Sequence, residues 1–86
     1  MYNTDDVVLT VDKIKNGHVI TSSIITSVTQ IYEHIIYTVD DIWMITNLKD
    51  FAPDTNIDIT EDNIIKEVTE DYSKEDFEKE YPEYLI

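Results

Sequence analysis

Residues 7–21, VVLTVDKIKNGHVIT, carry the pattern that most restricts the fold. Val7, Leu9 and Val11 alternate with Val8, Thr10 and Asp12, the period of a strand with one buried face. Asn16-Gly17 is a strong two-residue hairpin signal, because a type I′ turn needs positive φ at both central positions. The chain stays rich in Ile, Val, Thr and Tyr up to residue 51, which suits strands. IWMITNL (42–48) reads as a further strand, with Asp40-Asp41 turning the chain into it. The stretch between is ambiguous. Ile24, Ile25, Val28, Ile31, Tyr32, Ile35, Ile36 and Val39 fit a helical stripe, yet the same segment is crowded with β-branched residues that weaken helices. Two strands near 19–27 and 30–39 are expected, with a helix as the rival.

The character of the chain changes at FAPDTN, where Pro53 and the polar residues after it mark a connection. Beyond it, Thr60 is a good N-cap, with Glu61 and Asp62 placed to favour the helix dipole. Ile64, Ile65, Val68 and Tyr72 would form the apolar stripe of that helix. Ser73 is placed to cap a second short helix, with Asp76 three residues on, Phe77 and Tyr81 as its apolar face and Pro82 as its stop. The expected fold is α+β: an antiparallel sheet of about four strands followed by one or two acidic C-terminal helices. With 86 residues there is room for one modest core. Residues 1–86 are therefore expected to form one domain, 1–51 mainly strands and 52–86 an acidic helical part.

Charge narrows the possible partners. The net charge is −13, with no arginine and six lysines, so nucleic-acid binding and anionic membranes are disfavoured and basic proteins or cations are attracted. An apolar fraction of 42% is too high for a disordered chain. There is no cysteine, hence no disulfide, thiol nucleophile or cysteine zinc site. MYNTDDVV lacks the features of a signal peptide, and no apolar run is long enough to span a bilayer, so a cytoplasmic location is expected. The excess of Ile, Asn, Tyr, Lys and Phe over Gly, Ala, Arg and Pro points to an AT-rich genome, such as that of a low-GC bacterium or its phage.

The motifs of site chemistry are weak. Asp54, Asn56, Asp58 and Asp62 fall at calcium-loop positions, but Ile59 stands where the loop needs Gly and Ile65 where it needs a bidentate Glu. An Asx-rich connection is the better reading, and no metal or cofactor is expected. His18, beside the turn, is expected to be exposed. His34, near Glu33, has no convergent partners, and no nucleophile elbow or phosphate loop is present, so no catalytic residue is assigned. Trp43 and the tyrosines read first as core. Tyr81, Tyr84, Leu85 and Ile86 are expected to pack on the sheet, with a homodimer contact left open.

The acids themselves remain. After residue 51, twelve acids face three lysines, although a solubilising helix normally interleaves both signs. EVTEDYSKEDFEKEYPE (67–83) holds eight carboxylates. As a continuous helix of about 26 Å it would carry one per roughly 3 Å, within a factor of two of duplex DNA. In size, net charge, lack of Arg and Cys, and the acid-studded TEDNIIKEVTEDYSKEDFEKEYPE, the chain resembles small acidic phage proteins that mimic DNA. These block host restriction enzymes, CRISPR nucleases, uracil-DNA glycosylase and HU-type nucleoid proteins. The resemblance is physical and carries no motif. It implies a non-enzymatic inhibitor occupying the DNA-binding surface of a basic bacterial host protein, with an HU-type nucleoid protein favoured and a CRISPR or restriction nuclease as the alternative. The partner-binding carboxylates would be Asp54, Asp58, Glu61, Asp62, Glu67, Glu70, Asp71, Glu75, Asp76, Glu78, Glu80 and Glu83. The competing expectation is an ordinary interaction module whose acids only solubilise it.

Overall fold

A computed structural model describes residues 1–14 and 17–84. Five antiparallel strands form one sheet: β1 (Val7–Ile14), β2 (Gly17–Ile31), β3 (His34–Thr46), β4 (Ile57–Ile59) and β5 (Ile64–Val68), in the order β4-β3-β2-β1-β5. One short helix, α1 (Lys74–Glu80), follows. The α+β expectation holds in outline, with five strands in place of about four and one helix.

β4 and β5 lie at opposite edges of this sheet, yet only residues 60–63 separate them in sequence. Laid flat, four strand spacings put those edges about 19 Å apart. Five residues of extended chain reach about 17 Å, and Glu61–Asn63 is coiled into a 3-10 turn, which is shorter still. The sheet is therefore rolled. Bulges bend it: Ile42 in β3, Thr26 in β2 and Ile65 in β5 each have no opposite number in the register.

Rolling gives the sheet two buried faces. Inside, Val8, Ile25, Tyr37 and Val39 form a core joined by Ile57, Ile59 and Ile64. On the other face Leu9, Ile20 and Phe77 form a second core with Trp43, Ile65, Val68, Tyr72 and Tyr81. The stretch Val7–Thr10 is buried throughout because β1 faces both cores. Tyr37 anchors the first. Its hydroxyl donates to Glu61 at 2.8 Å and accepts the Tyr2 N–H at 3.0 Å, and burial pushes the phenol up, keeping it a donor. Tyr37→Phe would leave both partners short of a bond, so it is expected to cost about 1–2 kcal/mol in urea denaturation and to raise amide exchange at Tyr2.

Three expectations are corrected, and the open choice over residues 24–39 is decided. Asp40-Asp41 is not a turn; β3 continues through it to the bulge at Ile42. The two carboxylates serve the incoming loop instead, Asp40 accepting the Asn56 N–H at 3.0 Å and Asp41 the Asp54 N–H at 3.2 Å. Residues 24–39 form two strands, as expected, and not the rival helix: β2 and β3 pair from Val19↔Thr46 to Ile31↔His34. The helix expected after Thr60 is only the 3-10 turn, closed by Asn63 accepting the Thr60 N–H at 3.1 Å. Ile64–Val68 then becomes β5, because the edge of the doubly buried β1 would otherwise present unpaired backbone groups. Ile64 and Ile65 face different cores as neighbours in a strand do, and the bulge leaves Ile65 on the side of Val68, so a helix-like stripe is served by a strand. Gly17 is the first residue of β2, paired with Ile14, and has no positive φ. Its value is space: a Cβ there would come within 2.7 Å of the Asn47 amide oxygen and 3.3 Å of Leu48. Asn16 of the proposed turn lies outside the described residues, as do Leu85 and Ile86.

Candidate protein-binding surface

All twelve carboxylates singled out in the sequence are exposed. They fall into two groups. Asp54, Asp58, Glu61 and Asp62 lie on and around β4 and the 3-10 turn, and Glu67, Glu70, Asp71, Glu75, Asp76, Glu78, Glu80 and Glu83 on β5, its exit and the C-terminal segment. The continuous 26 Å helix expected for the second group is not formed. Only Lys74–Glu80 is helical, about 10 Å of axis, and Glu67, Glu70 and Asp71 come from a strand end and a turn.

α1 is built as its sequence predicts. The Ser73 side chain accepts the Asp76 N–H at 3.1 Å, and Asp76 accepts the Ser73 N–H at 2.9 Å. This bond to the Ser73 N–H holds the Asp76 carboxyl below its usual range. Phe77 pins the helix to the sheet, fully buried, its ring 5.1 Å from that of Tyr81 and 6.2 Å from that of Trp43. Trp43 donates its indole N–H to the Tyr72 carbonyl at 2.9 Å. A second tie is Lys66 of β5, which donates to Glu80 and lies 5.4 Å and 5.6 Å from the ring centres of Tyr72 and Tyr81. That bond raises the Lys66 ammonium and lowers the Glu80 carboxyl. The pair is more than a third exposed, so solvent screens it and its contribution to stability is small. The Tyr72 hydroxyl is buried beside Glu80 without a well-formed hydrogen bond, and burial pushes its phenol up.

Five of the twelve acids are thus occupied within the fold. Asp76 and Glu80 hold α1, Glu61 accepts from Tyr37, Asp58 accepts from Thr38 at 2.9 Å and Asp54 from the Thr55 N–H at 2.8 Å. Asp62, Glu67, Glu70, Asp71, Glu75, Glu78 and Glu83 have no hydrogen-bond or ion-pair partner among the described residues. The outer face of α1 is mixed, since Lys79 follows Glu75 by four positions, the spacing of a favourable pair. No cluster of three or more metal-ligating side chains occurs among the described residues. His18 is half-buried, contrary to expectation, and its Nε2 donates to the Tyr84 carbonyl at 3.3 Å. His34 is exposed at the β2–β3 tip. No described helix is long and apolar enough to cross a membrane.

The residue that sequence reasoning undervalued is Asp41. Burial raises its carboxyl, against the lowering effect of the Ser23 hydroxyl and the Asp54 backbone. The native state therefore binds this proton more tightly than the unfolded chain, and stability rises as pH falls through the raised value. Asp76 and Glu80 have the opposite sign: they stabilise above the ordinary carboxylate range and lose that contribution as pH falls through their depressed values. The urea midpoint is expected to increase from pH 7 to about pH 5, helped by relief of like-charge repulsion, and to drop at more acid pH. Asp41→Asn is expected to shrink the increase. A midpoint that falls steadily from pH 7 downwards would contradict this assignment.

Comparison of the chain with family models, with curated proteins and with solved structures gives no significant match.

Proposed function

We propose that this chain is a non-enzymatic DNA mimic that occupies the DNA-binding surface of a basic bacterial protein, with an HU-type nucleoid protein as the favoured target. The observation that carries this reading is a set of unpartnered, exposed carboxylates held on a docked scaffold: Glu67 at the end of β5, Glu70 and Asp71 in the turn, Glu75 and Glu78 on α1. A floating acidic tail would lose most of its binding free energy in ordering itself. Carboxylates fixed by Phe77 and the Ser73 cap avoid much of that cost. Opposed to lysines and arginines they form charge-assisted bonds, bidentate with arginine, and the field of a −13 chain accelerates encounter. A sequence-nonspecific binder of bent DNA reads mainly backbone charge, and an HU-type partner suits a surface without a fixed phosphate spacing.

The test is capture from bacterial lysate at low and high salt, with duplex DNA as competitor. Recovery of basic DNA-binding proteins that salt and DNA both displace is expected. A partner indifferent to salt and DNA would end the reading. That outcome would favour an interaction module, for which the exposed Ile31 and Tyr32 at the β2–β3 tip are the natural contact; Tyr32 is 88% exposed and has a positive φ of 56°.

A further inference from the structure

The inner face of the rolled sheet opens on a cleft of about 190 Å³. Its walls are apolar, formed by Val19, Val39, Met44, Phe51, Ile57 and Ile59, and its exposed rim carries Asp12 and Asp58. Its polar lining includes Thr10, Thr21 and Asp41, linked through Ser23 into one hydrogen-bonded chain. The direction of that chain is forced. An ionised Asp41 only accepts, so the single Ser23 proton goes to it, at 2.8 Å. Thr21 must then donate to Ser23, at 3.0 Å, and Thr10 to Thr21. Thr10 Oγ1 is left as an acceptor with no donor among the described residues, although Thr10 is only 7% exposed. The cleft thus has an acceptor at each end of the chain, apolar sides and an acidic rim. Buried acceptors call for a donor, and the half-buried carboxylate calls for a positive one.

We propose that this cleft receives the side chain of a lysine or arginine of a basic partner protein, its alkyl stem along the apolar walls and its cationic head donating to Asp41 or, two strands away, to Thr10. The source of that side chain rests on the function proposed above; the preference of the cleft for an alkyl cation does not. The probes are n-butylammonium and n-butylguanidinium, titrated into the ¹⁵N-labelled full chain at constant ionic strength, with neutral n-butanol as the control. Saturable amide shifts at Thr10, Thr21, Val39, Asp41 and Ile59 are expected with the cations and not with butanol. Asp41→Asn, which keeps an acceptor for Ser23, is expected to weaken cation binding at least tenfold. If that variant fails to fold, Thr10→Val is read in its place and is expected to weaken binding severalfold. Shifts confined to the acids of 61–83, shifts equal for butanol and the cations, or variants that bind as the parent does would overturn the proposal. The two proposals fail separately. Cations that leave the cleft untouched refute the cleft while DNA-sensitive capture stands. Cleft binding without DNA-sensitive capture refutes the mimicry and leaves the cleft.

Discussion

Replacing Phe77 with alanine is expected to remove about 3–5 kcal/mol, a large share of the roughly 5–15 kcal/mol that stabilises a small domain. Phe77 is fully buried and joins α1 to Leu9 and Ile20 of the sheet. Its ring also meets Trp43, Tyr81 and Tyr84 at centroid distances of 6.2, 5.1 and 5.9 Å. No other α1 side chain is buried, so nothing on the helix compensates for the cavity. Trp43 is the only tryptophan and its indole bonds to the Tyr72 carbonyl, so its emission reports whether the segment stays docked. A red-shifted emission and a collapsed urea midpoint are expected for Phe77→Ala. Phe51→Ala, at a side chain 45% exposed, should stay within about 0.5 kcal/mol of the parent. Equal effects of the two changes would show that α1 is not held as described.

The second large effect concerns binding. Reversing Glu67, Glu70, Asp71 and Glu75 to lysine adds two charges at each position and takes the net charge from −13 to −5. None of the four has a hydrogen-bond or ion-pair partner among the described residues, so relief of like-charge crowding should roughly offset what Glu75→Lys loses at the first turn of α1 and in its spacing to Lys79, and the fold should persist. Affinity for the basic target is expected to fall by roughly 100-fold or more, about 3 kcal/mol, with a shallower salt dependence. Reversing three acids outside both the partner-binding carboxylates and the cleft, Asp5, Glu33 and Asp50, applies most of the same change in net charge and should cost far less. Equal losses would mean that net charge alone is read. No loss from either set would support the interaction module.

Much of the sheet was legible because local chemistry and tertiary demand agree there. β1 follows period and propensity together, the run from β2 into β3 follows its β-branched propensity against a helical stripe, and α1 follows its Ser73–Asp76 box and Phe77. The misread positions are those where a distant group decides. Asp40 and Asp41 look like turn formers until the loop 54–56 is seen to need their carboxylates as acceptors. Ile64–Val68 has a helical stripe, and only the free edge of β1 makes it a strand. Gly17 resembles the second residue of a type I′ turn, but its lack of a side chain serves Asn47 and Leu48, thirty residues away in sequence. The acidic surface was legible as composition. Which of its members are occupied by the fold was not, because Tyr37, Thr38 and Lys66 reach their carboxylates only after the sheet has rolled.

The central claim is that the exposed carboxylates of β5 and α1 stand in for phosphates. It is tested most directly by a competition titration with a purified HU-type protein and fluorescently labelled duplex DNA, followed by anisotropy at several salt concentrations. The chain is predicted to displace the DNA completely, with no ternary complex. Its apparent affinity should fall linearly on a log–log plot against salt, with a slope that flattens in the Glu67, Glu70, Asp71 and Glu75 reversal. A ternary complex, or an affinity that salt does not change, would contradict the account.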